Sequence, residues 1–280
     1  MLKPTYLALI PAIALLSSCA NVPKFAETGD RGDPAKVAAT SATPLNYEAY
    51  ALVLRTYVNS NGLVNYSALQ ANPQQLKDFV AAIGAVSPNT YAAWSDKEKI
   101  AFLINAYNAI TLESIIKEQP LKKRIKDIFG VWNVKSHPVV GEPTTLDALE
   151  HQILRKKFNE PRIHAALVCA ALSCPPLRQE PYTGEKLGAQ LDDQVSKWLS
   201  TQGLQIDRAQ NRVSISSIFK WFGEDWQKQY SADDKFVGSA KERAALNFIS
   251  NYVSPQDREY LAQGNYKLDY LNYDWSLNRQ

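Results

Sequence analysis

The feature that most constrains the fold is an almost uninterrupted run of apolar residues between Ile100 and Ile116. It is preceded by Ser95-x-x-Glu98, the pattern of a capping box, in which each side chain bonds the other residue's free backbone amide. Because the run is apolar on nearly every side, a helix built from it must be covered by other elements. We therefore predict a central buried helix with the rest of the domain packed around it.

The segments around this helix predict an α+β domain, helix-rich with one small antiparallel sheet. Hydrophobic residues make up 45% of the chain, enough for a substantial core. Apolar residues at helical spacing predict further helices over 45–57, 76–83, 144–155 and 244–253, and another that contains Trp221, Phe222 and Trp226. Ser254-Pro255 has the pattern of a helix start. Alternating or short apolar patterns predict strands over 162–169, 212–215 and 266–271. The alanines of 162–169 leave a helix as the alternative for that segment.

The N-terminus has the pattern of a bacterial lipoprotein signal. Lys3 precedes an apolar stretch over residues 6–16, which ends in Leu16-Ser-Ser-Cys19. Such a stretch is typical of a secretory signal and is short for a helix that spans a bilayer. We predict a signal peptide over residues 1–18 and acylation of Cys19. The alternative is an ordinary secretory peptide with an incidental cysteine.

The residues after Cys19 predict where the protein is held. Ala20 and Asn21 follow it, without an aspartate, which favours the outer membrane with the domain facing the periplasm. Residues 19–44 are poor in periodic apolar residues and predict a flexible tether to a globular domain over 45–280. The formal net charge of +3 is too small to indicate nucleic-acid binding, so the predicted partners are the membrane and an envelope protein or peptide.

Once Cys19 is acylated, Cys169 and Cys174 remain as a pair in an oxidising compartment, which favours a disulfide between them. The competing hypothesis is a thiol nucleophile at Cys174, with His164 or His151 as its base. The third member would be Glu150, Asp274 or Asn105. Inert buried thiols are a further alternative. A metal site at His164 and the two cysteines has an unusual spacing, and we predict no metal and no cofactor.

Two polar stripes at helical spacing are the other candidate site features. Asn105 and Asn108 interrupt the apolar helix, where they either tie it to a neighbouring loop or line a ligand cleft. Asp147, His151 and Arg155 share a helix face beside Glu150 and form either a surface ion-pair ladder or a recognition site. The predicted ligand-binding residues are Asn105, Asn108, Arg155 and Arg162. Residues 221, 222 and 226 are aromatic and are interpreted as core, with an aromatic ligand wall as the alternative.

Several of these motifs together resemble the family called domain of unknown function 547 (DUF547). The matching pieces are Asn65-Tyr66, the segment 101–112, the segment 149–155, the segment Pro161–Leu177 and the segment Tyr273–Asn278. They spread over about 47–278. One departure is Leu103, where the family pattern usually has tryptophan.

This resemblance implies a fold loosely similar to papain-like and transglutaminase-like proteins, with a buried helix followed by a strand that bears a histidine. Asn105 would then stand where the active enzymes place cysteine, which suggests an inactive relative. We therefore expect a ligand- or partner-binding domain on a lipid anchor. The alternatives are a thiol-dependent hydrolase or acyltransferase acting on amide or peptide bonds of the envelope, and a purely structural envelope protein.

Overall fold

The structure is a computed structural model that describes residues 23–27, 43–233 and 235–280. The helices are α1 (Lys24–Glu27), α2 (Glu48–Tyr57), α3 (Tyr66–Ala71), α4 (Gln74–Ala85), α5 (Pro88–Ala93), α6 (Asp96–Ile116), α7 (Arg155–Lys157), α8 (Leu187–Trp198), α9 (Ser217–Trp221), α10 (Gly223–Tyr230), α11 (Ala240–Ile249) and α12 (Pro255–Gln263). Within these ranges, no helix has the length and apolar content needed to cross a bilayer. The predicted helix-rich α+β class is confirmed.

The predicted central helix is α6, and it is buried along almost its whole length. Ser95 begins it by accepting a hydrogen bond from the Glu98 backbone amide. The predicted capping box also needs a bond from the Ser95 amide to the Glu98 carboxylate. That carboxylate instead accepts hydrogen bonds from the Tyr47 hydroxyl and the Gly184 amide. The Glu98 side chain therefore joins the start of α6 to two other parts of the chain.

The core consists of two clusters. The larger one surrounds α6 and includes the buried faces of α2 and α4. The smaller one is aromatic and lies between α8, α9, α10 and α11, with Phe219 at its centre. The Phe219 ring centroid lies 4.9 Å from that of Trp198 and 4.7 Å from that of Trp226. Stacked and tilted rings at these separations add to the stability that burial provides.

Two small sheets replace the single antiparallel sheet that the sequence predicts. β1 (Ser136–Val139) and β2 (Glu142–Thr145) form an antiparallel hairpin. Both residues between them, Val140 and Gly141, have positive φ, as a two-residue hairpin turn of type I′ requires. β3 (Leu204–Asp207), β4 (Arg212–Ile215) and β5 (Lys267–Tyr270) form the second sheet, in which β4 pairs antiparallel with β3 and parallel with β5. The strands predicted over 212–215 and 266–271 are thus confirmed.

The helix predicted from residue 144 begins later and is wound differently. Thr144 and Thr145 belong to β2, and the Thr145 hydroxyl accepts from the Ala148 amide. The next segment, Ala148–Leu154, is π-helical and leads directly into α7. A wide helical turn of this kind is rare and is often found at functional sites.

The strand predicted over 162–169 is wrong. Pro161–Ala165 forms a 3₁₀ helix, followed by irregular chain up to α8. The physical reason lies in α6, because Asn108 bonds the Ala166 carbonyl and the Val168 amide. These backbone groups are satisfied by a side chain, so no neighbouring strand is needed.

Smaller differences concern helix ends. The single helix predicted to contain Trp221, Phe222 and Trp226 is divided into α9 and α10 at Phe222, and α11 ends four residues before the predicted Val253. The helix predicted after Ser254 is α12, with the Ser254 hydroxyl accepting from the Asp257 amide. Within the predicted tether, α1 is described and its Phe25 is buried against Tyr91. The predicted signal peptide and Cys19 lie outside the described residues.

Candidate functional site

An open cavity of about 290 Å³ lies where the two core clusters meet. Its walls come from the π-helical segment, the 3₁₀ helix, the loop that follows it, α6, α9 and the C-terminal segment. The lining residues are Tyr107, Trp132, Asp147, Glu150, His151, His164, Leu167, Cys169, Cys174, Ile218, Trp221, Phe222, Tyr273 and Trp275. The four residues predicted as catalytic, Cys174, His164, His151 and Glu150, are all among them.

The predicted stripe on the π-helical segment is present. The Arg155 guanidinium lies 3.1 Å from His151 Nδ1. Because a guanidinium can only donate, Nδ1 accepts, and the ring proton of a neutral His151 is on Nε2. That nitrogen faces Asp147 Oδ1 at 3.7 Å. The stripe is therefore a chain of polar contacts, of which Asp147 and His151 line the cavity.

Glu150 lies next to this stripe on the cavity wall and interacts with the Tyr107 hydroxyl of α6. Burial raises the pKa of the Glu150 carboxyl, and the neighbouring His151 and Tyr107 only partly offset this effect. Burial also raises the pKa of Tyr107, so that the phenol keeps its proton and can donate. A ligand that offers a cation or an N–H donor would stabilise the ionised form of Glu150.

His164 is held by a residue that the sequence analysis did not find. Its Nε2 lies 2.7 Å from Asp225 Oδ2, and its ring stacks on Phe222 with 4.7 Å between centroids. Burial lowers the pKa of His164, with Asp225 opposing the change. Asp225 lies at the start of α10, 61 residues further along the chain, where nothing in the local pattern connects it to a histidine.

Arg155 is the second partner of Asp225 and lies behind the residues that line the cavity. Its guanidinium bonds both carboxylate oxygens of Asp225, at 2.6 and 3.1 Å, and also reaches Glu224. Burial works against ionisation of Asp225, but the bonds from His164 and Arg155 outweigh it and hold the carboxyl's pKa well below its usual range. Arg155 is therefore committed to an internal pair and supports the site without lining it.

Cys169 and Cys174 form a disulfide in the cavity wall, as the sequence favours. The Tyr273 hydroxyl lies 3.2 Å from Cys169 Sγ and 3.1 Å from Cys174 Sγ. The C-terminal segment brings it there by pairing with the disulfide loop, through bonds from Leu172 to Ser276 and from Asn278 to Ala170. In this state Cys174 has no thiolate to act as a nucleophile.

Aromatic side chains form another part of the wall. The Trp275 ring centroid lies 6.1 Å from that of Trp132, 5.9 Å from that of Trp221 and 4.6 Å from that of Tyr273. Trp221 is 42% exposed, whereas Trp226 is fully buried in the smaller core cluster. Of the three aromatic residues predicted as core, only Trp226 is fully buried, whereas Trp221 and Phe222 line the cavity and fit the alternative of an aromatic wall better.

The other predicted site residues lie elsewhere. Asn105 bonds the carbonyl and the amide of Tyr182, and Asn108 bonds the backbone just after the 3₁₀ helix, at Ala166 and Val168, and neither amide lines the cavity. Arg162 pairs with Glu160 and Asp192 outside the cavity. For these three residues the ligand-binding prediction is not supported by their positions, because their polar groups already have partners.

The candidate Asp274 and the remaining histidine of the chain, His137, are also separate from the cavity. His137 is buried on β1, and the exposed Asp274 carboxylate accepts from the Ser276 amide. Over residues 23–27, 43–233 and 235–280, no group of three or more His, Cys, Asp or Glu side chains is placed to hold a metal ion.

Comparison with protein families gives one match. The family described as "Protein of unknown function, DUF547" matches residues 91–199, a range that contains α6, the π-helical segment, the 3₁₀ helix and both cysteines of the disulfide. The resemblance inferred from the sequence motifs is confirmed over that range. No curated protein and no solved structure matches the chain.

Proposed function

We propose that this protein is a ligand-binding lipoprotein, whose cavity takes a peptide or small amine with an apolar or planar group. One observation carries the proposal: a single open cavity brings together an aromatic wall and a half-buried carboxylate, Glu150. Cavities that are mostly apolar, with a few convergent polar groups, are typical of small-molecule sites. The DUF547 resemblance leaves the ligand open.

The aromatic wall favours a ligand with a flat or apolar face. Trp132, Trp221 and Trp275 present ring surface to the cavity, and contact with such rings contributes about 0.5–1.5 kcal/mol beyond burial. The same faces attract cations, which strengthens binding of an amine. An apolar group with a neighbouring ammonium is found at the N-terminus of a peptide.

Glu150 provides the polar selectivity. Burial raises the pKa of the Glu150 carboxyl and so disfavours its charged form. A ligand that stabilises the charged carboxylate therefore gains affinity from this residue. An ammonium next to Glu150 does this, whereas an acetylated amine does not. We therefore expect affinity for a free amine to increase as the pH rises through the raised pKa of Glu150.

Tryptophan fluorescence tests this proposal, because three of the six tryptophans line the cavity. The probes are tripeptides that begin with phenylalanine, each as the free amine and as its N-acetyl derivative. We expect the free amine to bind about fivefold or more tightly than the acetylated form. The variant Glu150→Gln should lose this preference, and the matched control Glu185→Gln, at an exposed position, should keep it.

Two results would contradict the binding proposal. One is a fluorescence signal that does not change with any peptide of the set. The other is equal binding of free and acetylated peptides in a folded protein, since this would remove the role of Glu150.

We propose further that Cys19 is acylated and holds the domain at the periplasmic face of the outer membrane. The support is the pattern that ends in Leu16-Ser-Ser-Cys19, without an aspartate after the cysteine. Mass spectrometry of the native N-terminus should find a diacylated Cys19. A Cys19→Ser variant should lose its membrane fractionation, and unchanged sedimentation of that variant with the outer membrane would contradict the anchor.

The thiol-dependent hydrolase is the weaker proposal, and the His164–Asp225 pair is the observation in its favour. A carboxylate that orients a histidine is the usual partner arrangement for a thiol nucleophile. The disulfide argues against it, because Cys174 is bonded to Cys169. Iodoacetamide at neutral pH should label neither cysteine without reductant, and prompt labelling of Cys174 in the native protein would favour the hydrolase.

A further inference from the structure

The two sulfurs of the disulfide have different surroundings. Both lie in the cavity wall, but Cys174 is only 3% exposed and Cys169 is half-buried. Cys169 is therefore the more accessible of the two residues to a thiol that enters the cavity. Attack on a disulfide depends on which sulfur can be reached and on how well the other one leaves.

Cys174 Sγ is the sulfur that is better placed to leave as a thiolate. It accepts the backbone N–H of Cys169 at 3.1 Å. The Tyr273 hydroxyl lies almost equally close to both sulfurs, 3.1 Å from Cys174 Sγ and 3.2 Å from Cys169 Sγ, and is thus within reach of Cys174 when the bond opens. A disulfide sulfur has no hydrogen, so the hydroxyl is the donor. Burial raises the pKa of Tyr273, which keeps the phenol protonated. Hydrogen bonds of this kind are stronger to a charged acceptor than to a neutral one.

From this asymmetry we propose that the disulfide is a thiol-exchange site for a small thiol bound in the cavity. The incoming thiolate forms a bond to Cys169 Sγ, and the Cys169–Cys174 bond breaks with its electron pair on Cys174. The products are a mixed disulfide at Cys169 and a Cys174 thiolate held by Tyr273 and the Cys169 amide. The reverse attack by Cys174 expels the thiol, so that no other oxidant or reductant is needed.

The surrounding chain can keep Cys174 in place after the bond opens. The Cys174 amide bonds the Ala171 carbonyl, and the C-terminal segment bonds Ala170 and Leu172 on the same loop. These contacts do not involve the sulfurs. The reduced loop therefore keeps its position, and Cys174 remains within reach of the mixed disulfide.

The charges in the cavity indicate which thiol it takes. Asp147 and Glu150 are the lining carboxylates, and the aromatic wall also favours a cation. An aminothiol is thus preferred to a thiol that carries a carboxylate. This preference rests on the proposed cavity site, whereas the exchange step rests only on the access to Cys169 and the bonds to Cys174.

The test uses cysteamine and 3-mercaptopropionate, two thiols of similar size and opposite charge. The full-length protein is incubated with each, quenched with acid and peptide-mapped by tandem mass spectrometry. Cys169 and Cys174 share the tryptic peptide 163–178, so fragmentation between them assigns the adduct. We expect an adduct on Cys169 and, per thiolate, exchange about threefold or more faster with cysteamine. Tyr273→Phe should slow exchange about three- to tenfold, since it keeps the ring and removes the hydroxyl. Tyr270→Phe is the matched control, because its hydroxyl bonds Glu242.

Three outcomes would overturn the proposal: no adduct until the protein is denatured, an adduct mainly on Cys174, or an unchanged rate in folded Tyr273→Phe. Circular dichroism establishes that each variant is folded. If the adduct forms on Cys169 while the tripeptides fail to bind, exchange stands and the peptide site is wrong. If the tripeptides bind and no adduct forms, exchange alone is excluded.

Discussion

The polar stripe of α6 and the polar stripe of the π-helical segment look alike in sequence and differ in what they contact. Asn105 and Asn108 are buried, and each bonds both a carbonyl and an amide of a distant loop. Glu150 and His151 are half-buried on the cavity wall, where part of each side chain faces open space.

The difference lies in how completely each set of polar groups is satisfied. A carboxamide has one acceptor and one donor group, which match the two backbone groups of an irregular segment, so Asn105 and Asn108 hold loops against α6. A carboxylate or an imidazole at a cavity keeps capacity for a ligand. The π-helical segment therefore has the properties of a site, and α6 has those of a scaffold.

The largest effect that tests this contrast is expected from Asn108→Ala. It leaves the buried Ala166 carbonyl and Val168 amide without their partner, and we expect the free energy of unfolding to fall by about 2–4 kcal/mol. Urea denaturation measures this loss. Asn72→Ala, at an exposed position, should cost less than about 0.5 kcal/mol. A stable Asn108→Ala protein that no longer binds the tripeptides would reverse the roles of the two stripes.

Arg155→Met is expected to have the next largest effect. Arg155 is the end of the polar stripe that does not line the cavity and instead pairs with Asp225 inside the protein. Removal of the guanidinium leaves Asp225 with His164 alone, and we expect a loss of about 1–2 kcal/mol. Arg208→Met is the matched control, since the Arg208–Asp257 pair is more exposed and should contribute less than about 0.5 kcal/mol. Equal losses in the two variants, measured by urea denaturation, would mean that the Arg155 pair is an ordinary surface ion pair.

Acidification should affect the cavity side through His164, whereas the amides of α6 do not titrate. Burial lowers the pKa of His164 and of His137 below the ordinary value of 6.5. As the pH falls below 6.5, the unfolded chain takes up these protons before the folded protein does, so the stability present above that pH is lost.

Between pH 7 and pH 5 we expect a fall in the free energy of unfolding of about 1 kcal/mol for each ring. Urea denaturation of His164→Asn and of His137→Asn across this range separates the two contributions. If stability instead rises on acidification in the parent and stays constant in His164→Asn, Asp225 holds His164 in its charged form, and the pKa of His164 is raised rather than lowered.

The sequence could predict the elements whose information is local. α6 has its N-cap and its apolar surface within one segment, and Ser254-Pro255 begins α12 for the same reason. The prediction for 162–169 was wrong because the apolar alternation of this segment fits a strand. Its conformation is instead determined by hydrogen bonds from Asn108, more than fifty residues earlier in the chain. No local pattern contains that hydrogen bond.

The residues of the site also differ in whether local sequence information could reveal them. His151, His164, Glu150 and the two cysteines could be found because they lie close together in sequence and carry reactive groups. The partners that determine their behaviour are remote, since Asp225 and Tyr273 reach them from the start of α10 and from the C-terminal segment. Tyr273 could have been suspected from the motif that begins with it; Asp225 had no such signal.

Asp147→Asn is expected to have the smallest effect on stability. A change in its ligand affinity can therefore be assigned directly to the site. The Asp147 carboxylate is 37% exposed and lies 3.7 Å from His151, a separation at which an ion pair contributes less than about 0.5 kcal/mol. Its charge still faces the cavity, where walls of low polarity extend its influence on a bound cation. We expect unchanged urea denaturation, together with affinity for the free-amine tripeptide that falls about two- to fivefold, measured by tryptophan fluorescence. A change in stability without a change in affinity would place Asp147 with Asn105 and Asn108 as a structural residue, and the contrast between the two stripes would then hold only for Glu150.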